Sequence, residues 1–190
     1  MNENEIYFFN PVELEIRSFP GGGDVLDIGG GGEGIIGKLK GPRVVAIDRS
    51  KDELAEAPEG PLKIVMDARE LQFLDGVFSA ATAFFSLMYF RDQSDLQSAF
   101  TEACRVLKPG GRLRIWDVDM AAFPETDKSV FAVRVRCVVN GEVCEAVYGA
   151  PWPSQPRDRN YYRTLAEAAG FVHVNTVISN CTFESTFRKC

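Results

Sequence analysis

The chain has 190 residues, 45% of them hydrophobic and 25% charged, with a formal net charge of −6 and a pI of about 4.9. That length and balance suit one globular domain with a sizeable core, spanning 1–190. The acidic surplus and the scattering of Lys and Arg argue against a phosphate backbone as partner, so no nucleic acid is expected.

No basic start followed by an apolar run opens the sequence, and the longest apolar run, Val77 to Phe90, falls short of the roughly 20 residues that span a bilayer. The expectation is no membrane partner and a cytoplasmic location. The five cysteines form no C-x-x-C pair and sit beside one histidine, so no metal site is expected.

Short apolar runs then alternate with helical patterns, the signature of an α/β sheet with parallel strands. "DVLDIG" predicts a first strand, followed by a glycine loop and a short helix over Gly34 to Lys40. "RVVAID" predicts a second strand, and Ser50 with Glu53 three residues on forms a capping box for the helix after it. "LKIVMD" and Val77 to about Ser86 predict strands three and four, the latter apolar on both faces as a central parallel strand is.

A helix opening at Ser94 or Asp95 carries Leu96, Phe100, Ala103, Cys104 and Leu107 at helical spacing, and "PGG" ends it before a fifth strand, "RLRIWDVD". Residues 130–148 alternate on either side of Asn140-Gly141 and predict a β-hairpin. A two-residue loop there sets Arg136 opposite Glu145 and Cys137 opposite Cys144. An amphipathic helix and a strand pair over about 157–189 close the chain.

The stretch "VLDIGGGGEG", Val25 to Gly34, carries the chemistry. A phosphate loop of the form G-x-x-x-x-G-K-[ST] is matched by Gly32, Gly37 and Lys38 but fails at Leu39, where a hydroxyl is needed for magnesium. The dinucleotide pattern G-x-G-x-x-G is met by Gly29, Gly31 and Gly34, yet Asp27 would stand close to a pyrophosphate and repel it. An acid at that position suits a cationic ligand group instead.

The stretch resembles motif I of the class I S-adenosylmethionine-dependent methyltransferases, acid-x-Gly-x-Gly, with Asp27, Gly29 and Gly31 on the motif positions and Glu33 where the family has a third glycine. "VVAID", "VMDAREL" and "RVLKPGGRLRIWD" resemble later family motifs in the same order, over Asp24 to Asp119. The resemblance implies a Rossmann-like α/β fold, a mostly parallel seven-stranded sheet with helices on both faces, with the hairpin inserted after strand five.

It also implies S-adenosyl-L-methionine as cofactor and methyl transfer to oxygen, nitrogen or carbon of a small-molecule acceptor. Asp27 would then lie near the methionyl ammonium and Asp48, with Arg49 beside it, at the ribose hydroxyls. Asp67 would accept from the adenine amino group, the Ala68 backbone would meet the ring, and Phe85 and Ser86 would lie near the methionyl group and the acceptor.

No general base is nominated. Tyr89, Asp117 and Asp119 are polar candidates near the site whose first reading is structural, and His173 stands without a partner in sequence. A catalytically idle domain that binds the same cofactor, and an NAD(P)-dependent oxidoreductase, are the alternatives. One strand of the hairpin presents Phe131, Val133, Val135, Cys137 and Val139 on one face, which must cover the chain's own core, a second copy in a homodimer, or the acceptor pocket.

Overall fold

The computed structural model describes residues 5–17 and 23–190. Its main sheet has seven strands, built around β3 (Val25–Ile28). On one side of β3 lie β4 (Val44–Asp48) and β5 (Leu62–Val65). On the other lie β6 (Phe78–Phe84), β7 (Leu107–Val118), β11 (Thr182–Lys189) and, at the edge, β10 (Phe171–Ser179). β5, β4, β3, β6 and β7 run parallel, while β11 runs against β7 and β10 against β11. This is the mostly parallel sheet expected from the sequence.

Strand β7 begins earlier than expected. It takes in the Pro109-Gly110 turn, where Gly110 adopts φ 75° and the pairing with β6 shifts register between Phe78 and Ala80.

Helices lie on both faces. α3 (Gln93–Val106) and α4 (Arg159–Ala168) bury Leu96, Phe100, Ala103, Tyr162 and Leu165 in the core beneath β6, β7 and β11. Asp158 caps α4 by accepting from the Tyr161 N–H at 2.8 Å. The short α1 (Ile35–Lys40) and α2 (Lys51–Glu56) contribute Ile35, Ile36 and Leu54 to the other core. The capping box forms on α2, where the Glu53 N–H donates to Ser50 Oγ at 3.2 Å.

That second core is shared with a smaller sheet. β8 (Val130–Val139) and β9 (Glu142–Pro151) form the expected hairpin, with Arg136 opposite Glu145 and Cys137 opposite Cys144, and with left-handed backbone at Asn140 and Gly141. Two strands not expected from the sequence, β1 (Ile6–Phe8) and β2 (Val12–Ile16), run parallel along the remaining edge of β8. The side chains of Phe131, Val133, Val135, Cys137 and Val139 are all buried with Val12, Ile16, Phe84, Trp116 and Val118. The apolar face of the hairpin therefore covers the chain's own core. Cys137 and Cys144 are free thiols.

Candidate active site

In an open parallel sheet the carboxyl ends of the strands leave a crevice beside the central strand. Here the crevice is a cavity of about 1130 Å³. It is walled by Ile28 and the glycine loop after β3, by Asp48 at the end of β4, by Met66 and Ala68 after β5, and by Phe84 to Ser86 at the end of β6 and just beyond it. Cavities that hold organic ligands occupy roughly 300–1,000 Å³, and this one is at least as large.

The loop is fixed from behind. The N–H groups of Gly29 and Gly30 both donate to the Ile47 carbonyl, at 2.8 and 3.0 Å, and the Gly32 N–H donates to the Glu53 carbonyl at 2.8 Å. Gly29 has φ 73°, and a Cβ on it would stand 2.3 Å from the Ser86 Cβ. A Cβ on Gly31 would stand 2.6 Å from the Glu53 Cβ and 3.0 Å from Asp48 Oδ2. The absence of side chains thus lets the loop, α2 and the end of β6 close up, and leaves the Asp48 carboxylate beside bare backbone.

Seven of the nine residues expected at the site line this cavity: Gly29, Gly31, Asp48, Arg49, Ala68, Phe85 and Ser86. Asp48 spends Oδ1 on the Ser50 N–H at 2.8 Å. Ser86 donates its hydroxyl to the Ile28 carbonyl at 2.6 Å and so ties the end of β6 to β3.

The other two lie off the wall. Asp27 is 2% exposed and sits beneath the glycine turn, where its Oδ1 accepts from the Thr82 hydroxyl at 2.7 Å. Burial, helped by the charge of Asp48 and opposed by the Thr82 bond, pushes its pKa up to about 7. Asp67 lies between two wall residues, with its carboxylate gripped by Arg69 through Nε and Nη2, the latter at 2.7 Å, while Arg49 lies 3.6 Å away. Those cations hold its pKa below the usual carboxylate range.

Phe90, Arg91, Asp92, Val147 and Tyr148 complete much of the wall without a sequence signal that marked them, and Glu33, legible only as a departure from the motif, joins them with Glu53. Glu53 is legible only as half of a capping box. Tyr148 comes from the far end of the hairpin, which no local pattern places against the glycine loop. Tyr89 also lines the cavity. Burial raises the hydroxyl pKa of Tyr89 to about 12 and that of Tyr148 further, so both stay protonated near neutrality.

Asp119 pairs with the Arg159 guanidinium and accepts the Arg159 N–H, a structural role. His173 bonds the Thr176 hydroxyl at 2.9 Å in the edge strand, far in the fold from the cavity wall. Among the described residues no cluster of side chains could hold a metal ion, and no helix is long and apolar enough to cross a membrane.

The family model called Methyltransferase domain matches residues 26–115, the stretch that carries this wall from β3 to β7. A demethylmenaquinone methyltransferase of Thermus thermophilus is 36% identical over 106 residues, 55% of this chain and 43% of its own length. The mitochondrial 2-methoxy-6-polyprenyl-1,4-benzoquinol methylase of Xenopus laevis is 30% identical over 159 residues, 73% of this chain and 49% of its own. The chain spans about half the length of these curated relatives. In fold it is similar to an S-adenosylmethionine-dependent methyltransferase of Methanosarcina mazei, with a TM-score of 0.62 at 21% identity over 87% of this chain and 92% of that one. Motif order, strand order and the family match agree: residues 26–115 carry a methyltransferase domain, in the fold of the class I S-adenosylmethionine-dependent methyltransferases.

Proposed function

We propose that this chain transfers the methyl group of S-adenosylmethionine to a small-molecule acceptor. The observation that carries the reading is the convergence of Gly29, Gly31, Asp48, Ala68, Phe85 and Ser86 on one cavity wall. These residues fit the cofactor. Asp48 keeps Oδ2 beside the bare Gly31 backbone, where a carboxylate can accept from ribose hydroxyls. Ile47, Met66 and Ala68 offer an apolar slot for a flat base. Asp27, under the loop, would act on a cationic group through its field and not by contact.

The bound cofactor would supply an electrophilic methyl group, and the protein's part is to align acceptor and donor and to exclude water. Tyr89 and Tyr148 keep their protons near neutrality, so neither serves as the base for an acceptor that must lose a proton. Five aromatic residues, Phe84, Phe85, Tyr89, Phe90 and Tyr148, line the cavity. This lining suits a planar acceptor, and the two curated relatives, named for demethylmenaquinone and a polyprenyl benzoquinol, make the reduced quinone nucleus the first candidate.

Calorimetry with S-adenosylhomocysteine tests the cofactor half, and transfer of a labelled methyl group to a panel of quinols, phenols and amines tests the acceptor half. An absence of S-adenosylhomocysteine binding would sink the reading. Binding without transfer to any acceptor would favour a domain that only senses the cofactor.

A further inference from the structure

Arg157 precedes α4 in the stretch "PSQPRDRN", where nothing in the sequence marks it out. It is 3% exposed. Its Nη1 donates to the Phe90 carbonyl at 2.5 Å and its Nη2 to the Arg91 carbonyl at 2.6 Å. Both acceptor residues line the cavity, and Tyr89 beside them does too. Arg157 is anchored at its backbone and flanked by a ring and a buried charge. Its own carbonyl accepts the Met120 N–H at 3.1 Å, the Tyr161 ring lies 5.7 Å away, and the buried Asp117 contributes an opposite charge from the end of β7.

Burying an arginine is expensive, and a well-packed apolar side chain would serve stability as well or better. What the guanidinium provides is a rigid fork that fixes two successive carbonyls at once. The turn it grips needs that support. Its internal bonds, Tyr89 N–H to the Ser86 carbonyl and Phe90 N–H to the Leu87 carbonyl, are long, at 3.3 and 3.2 Å.

We propose that Arg157 is a positioning residue that holds the 87–91 turn from beneath and so sets the shape of the acceptor side of the cavity. The assignment to the acceptor side rests on the methyltransferase reading above. The cofactor side is held independently, by the glycine loop and Ser86.

The test is hydrogen exchange on the full chain, comparing segment 86–92 with β3 and α4, together with S-adenosylhomocysteine affinity. In Arg157→Met, exchange across 86–92 is expected to rise at least tenfold, with exchange in β3 and α4 and cofactor-analogue affinity changing less than threefold. Added methylguanidine, which can occupy the vacated fork, is expected to restore protection. Arg157→Lys keeps the charge but cannot span both carbonyls, so it is expected to fall between; it supplies the same readout if the Met variant fails to fold. Unchanged exchange across 86–92, an equal rise in α4, a matching loss of analogue affinity, or no rescue would each overturn the proposal. Failure of the unaltered chain to bind S-adenosylhomocysteine would overturn the methyltransferase reading alone, because the exchange comparison needs no ligand.

Discussion

The ring of Tyr148 lies on that of Phe85, with centroids 5.0 Å apart and planes 13° from parallel. Phe85 needs such a neighbour. It follows β6 in a left-handed conformation, φ 49°, that costs a side-chain-bearing residue about 1–2 kcal/mol. It is held there by full burial, by its N–H to the Trp116 carbonyl at 2.9 Å, and by the stacked ring. The hairpin thus supports the strained residue that turns the chain along the cavity wall.

Removing the ring and removing the hydroxyl therefore have different consequences. Tyr148→Phe keeps the stack and loses only a phenol that stays protonated, so stability and S-adenosylhomocysteine affinity are expected within threefold of the unaltered protein. Tyr148→Ala is expected to cost roughly 2–3 kcal/mol in stability and to weaken the analogue. Urea unfolding and calorimetry check both. A large turnover loss in Tyr148→Phe alone would show that the hydroxyl has a chemical role.

Asp48 has one oxygen committed to the Ser50 N–H and the other beside Gly31 on the cavity wall. Two charge-assisted bonds to ribose hydroxyls, at roughly 1.5–3 kcal/mol each, predict that Asp48→Ala weakens S-adenosylhomocysteine by about 10²-fold or more. Calorimetry on the folded variant reads this directly. A change below threefold would remove Asp48 from the site.

What could be read from the sequence was what local chemistry dictates. The glycine loop, the strand-end Asp48, the capping box at Ser50 and the turn at Asn140-Gly141 each state their geometry within a few residues. What was missed is set at long range. "VELEI" alternates as a half-buried strand does, but nothing in it says that it pairs in parallel with Val135–Val139, some 120 residues on. Likewise Asp27 was legible as an acid beside a cofactor loop, but not its depth below that loop. Depth depends on Thr82 and on the tightness of the Gly29–Gly30 turn.

That depth has a pH signature. An unfolded Asp titrates near pH ~3.9, whereas folded Asp27 is pushed up to about 7, mainly by burial. Between these values the unfolded chain gives up a proton that the folded chain retains. The contribution is therefore fully favourable below about pH 4, declines as pH rises, and is lost above about pH 7. Asp117, also raised to about 7 by burial, acts with the same sign. Asp27→Asn is expected to remove its share of the slope, so that the variant gains on the unaltered protein from pH 4.5 to 8 in urea midpoints. A variant that loses ground over that range would mean that the charged form is the one the fold favours. In the same variant, a loss of S-adenosylhomocysteine affinity without a loss of adenosine affinity would locate the effect at the ammonium-bearing end.

The last expectation concerns the closest contact in the loop. Gly29 combines φ 73° with a would-be Cβ 2.3 Å from the Ser86 Cβ, whose hydroxyl ties β6 to β3. Gly29→Ala meets two separate penalties, the left-handed backbone at about 1–2 kcal/mol and a steric overlap that must push the end of β6 away. Ser86→Gly in the same chain relieves the overlap but not the backbone cost, and forfeits the bond to the Ile28 carbonyl, worth about 1 kcal/mol. Gly29→Ala alone is thus expected to be the least stable of the three variants and to lose analogue binding. The double variant is expected to recover part of the stability but not the affinity, since the Ser86 side chain is gone and Phe85 no longer holds its place on the wall. Thermal unfolding with calorimetry on the single and double variants checks this. If Ser86→Gly brings no recovery, the cost lies in the backbone and not in the contact.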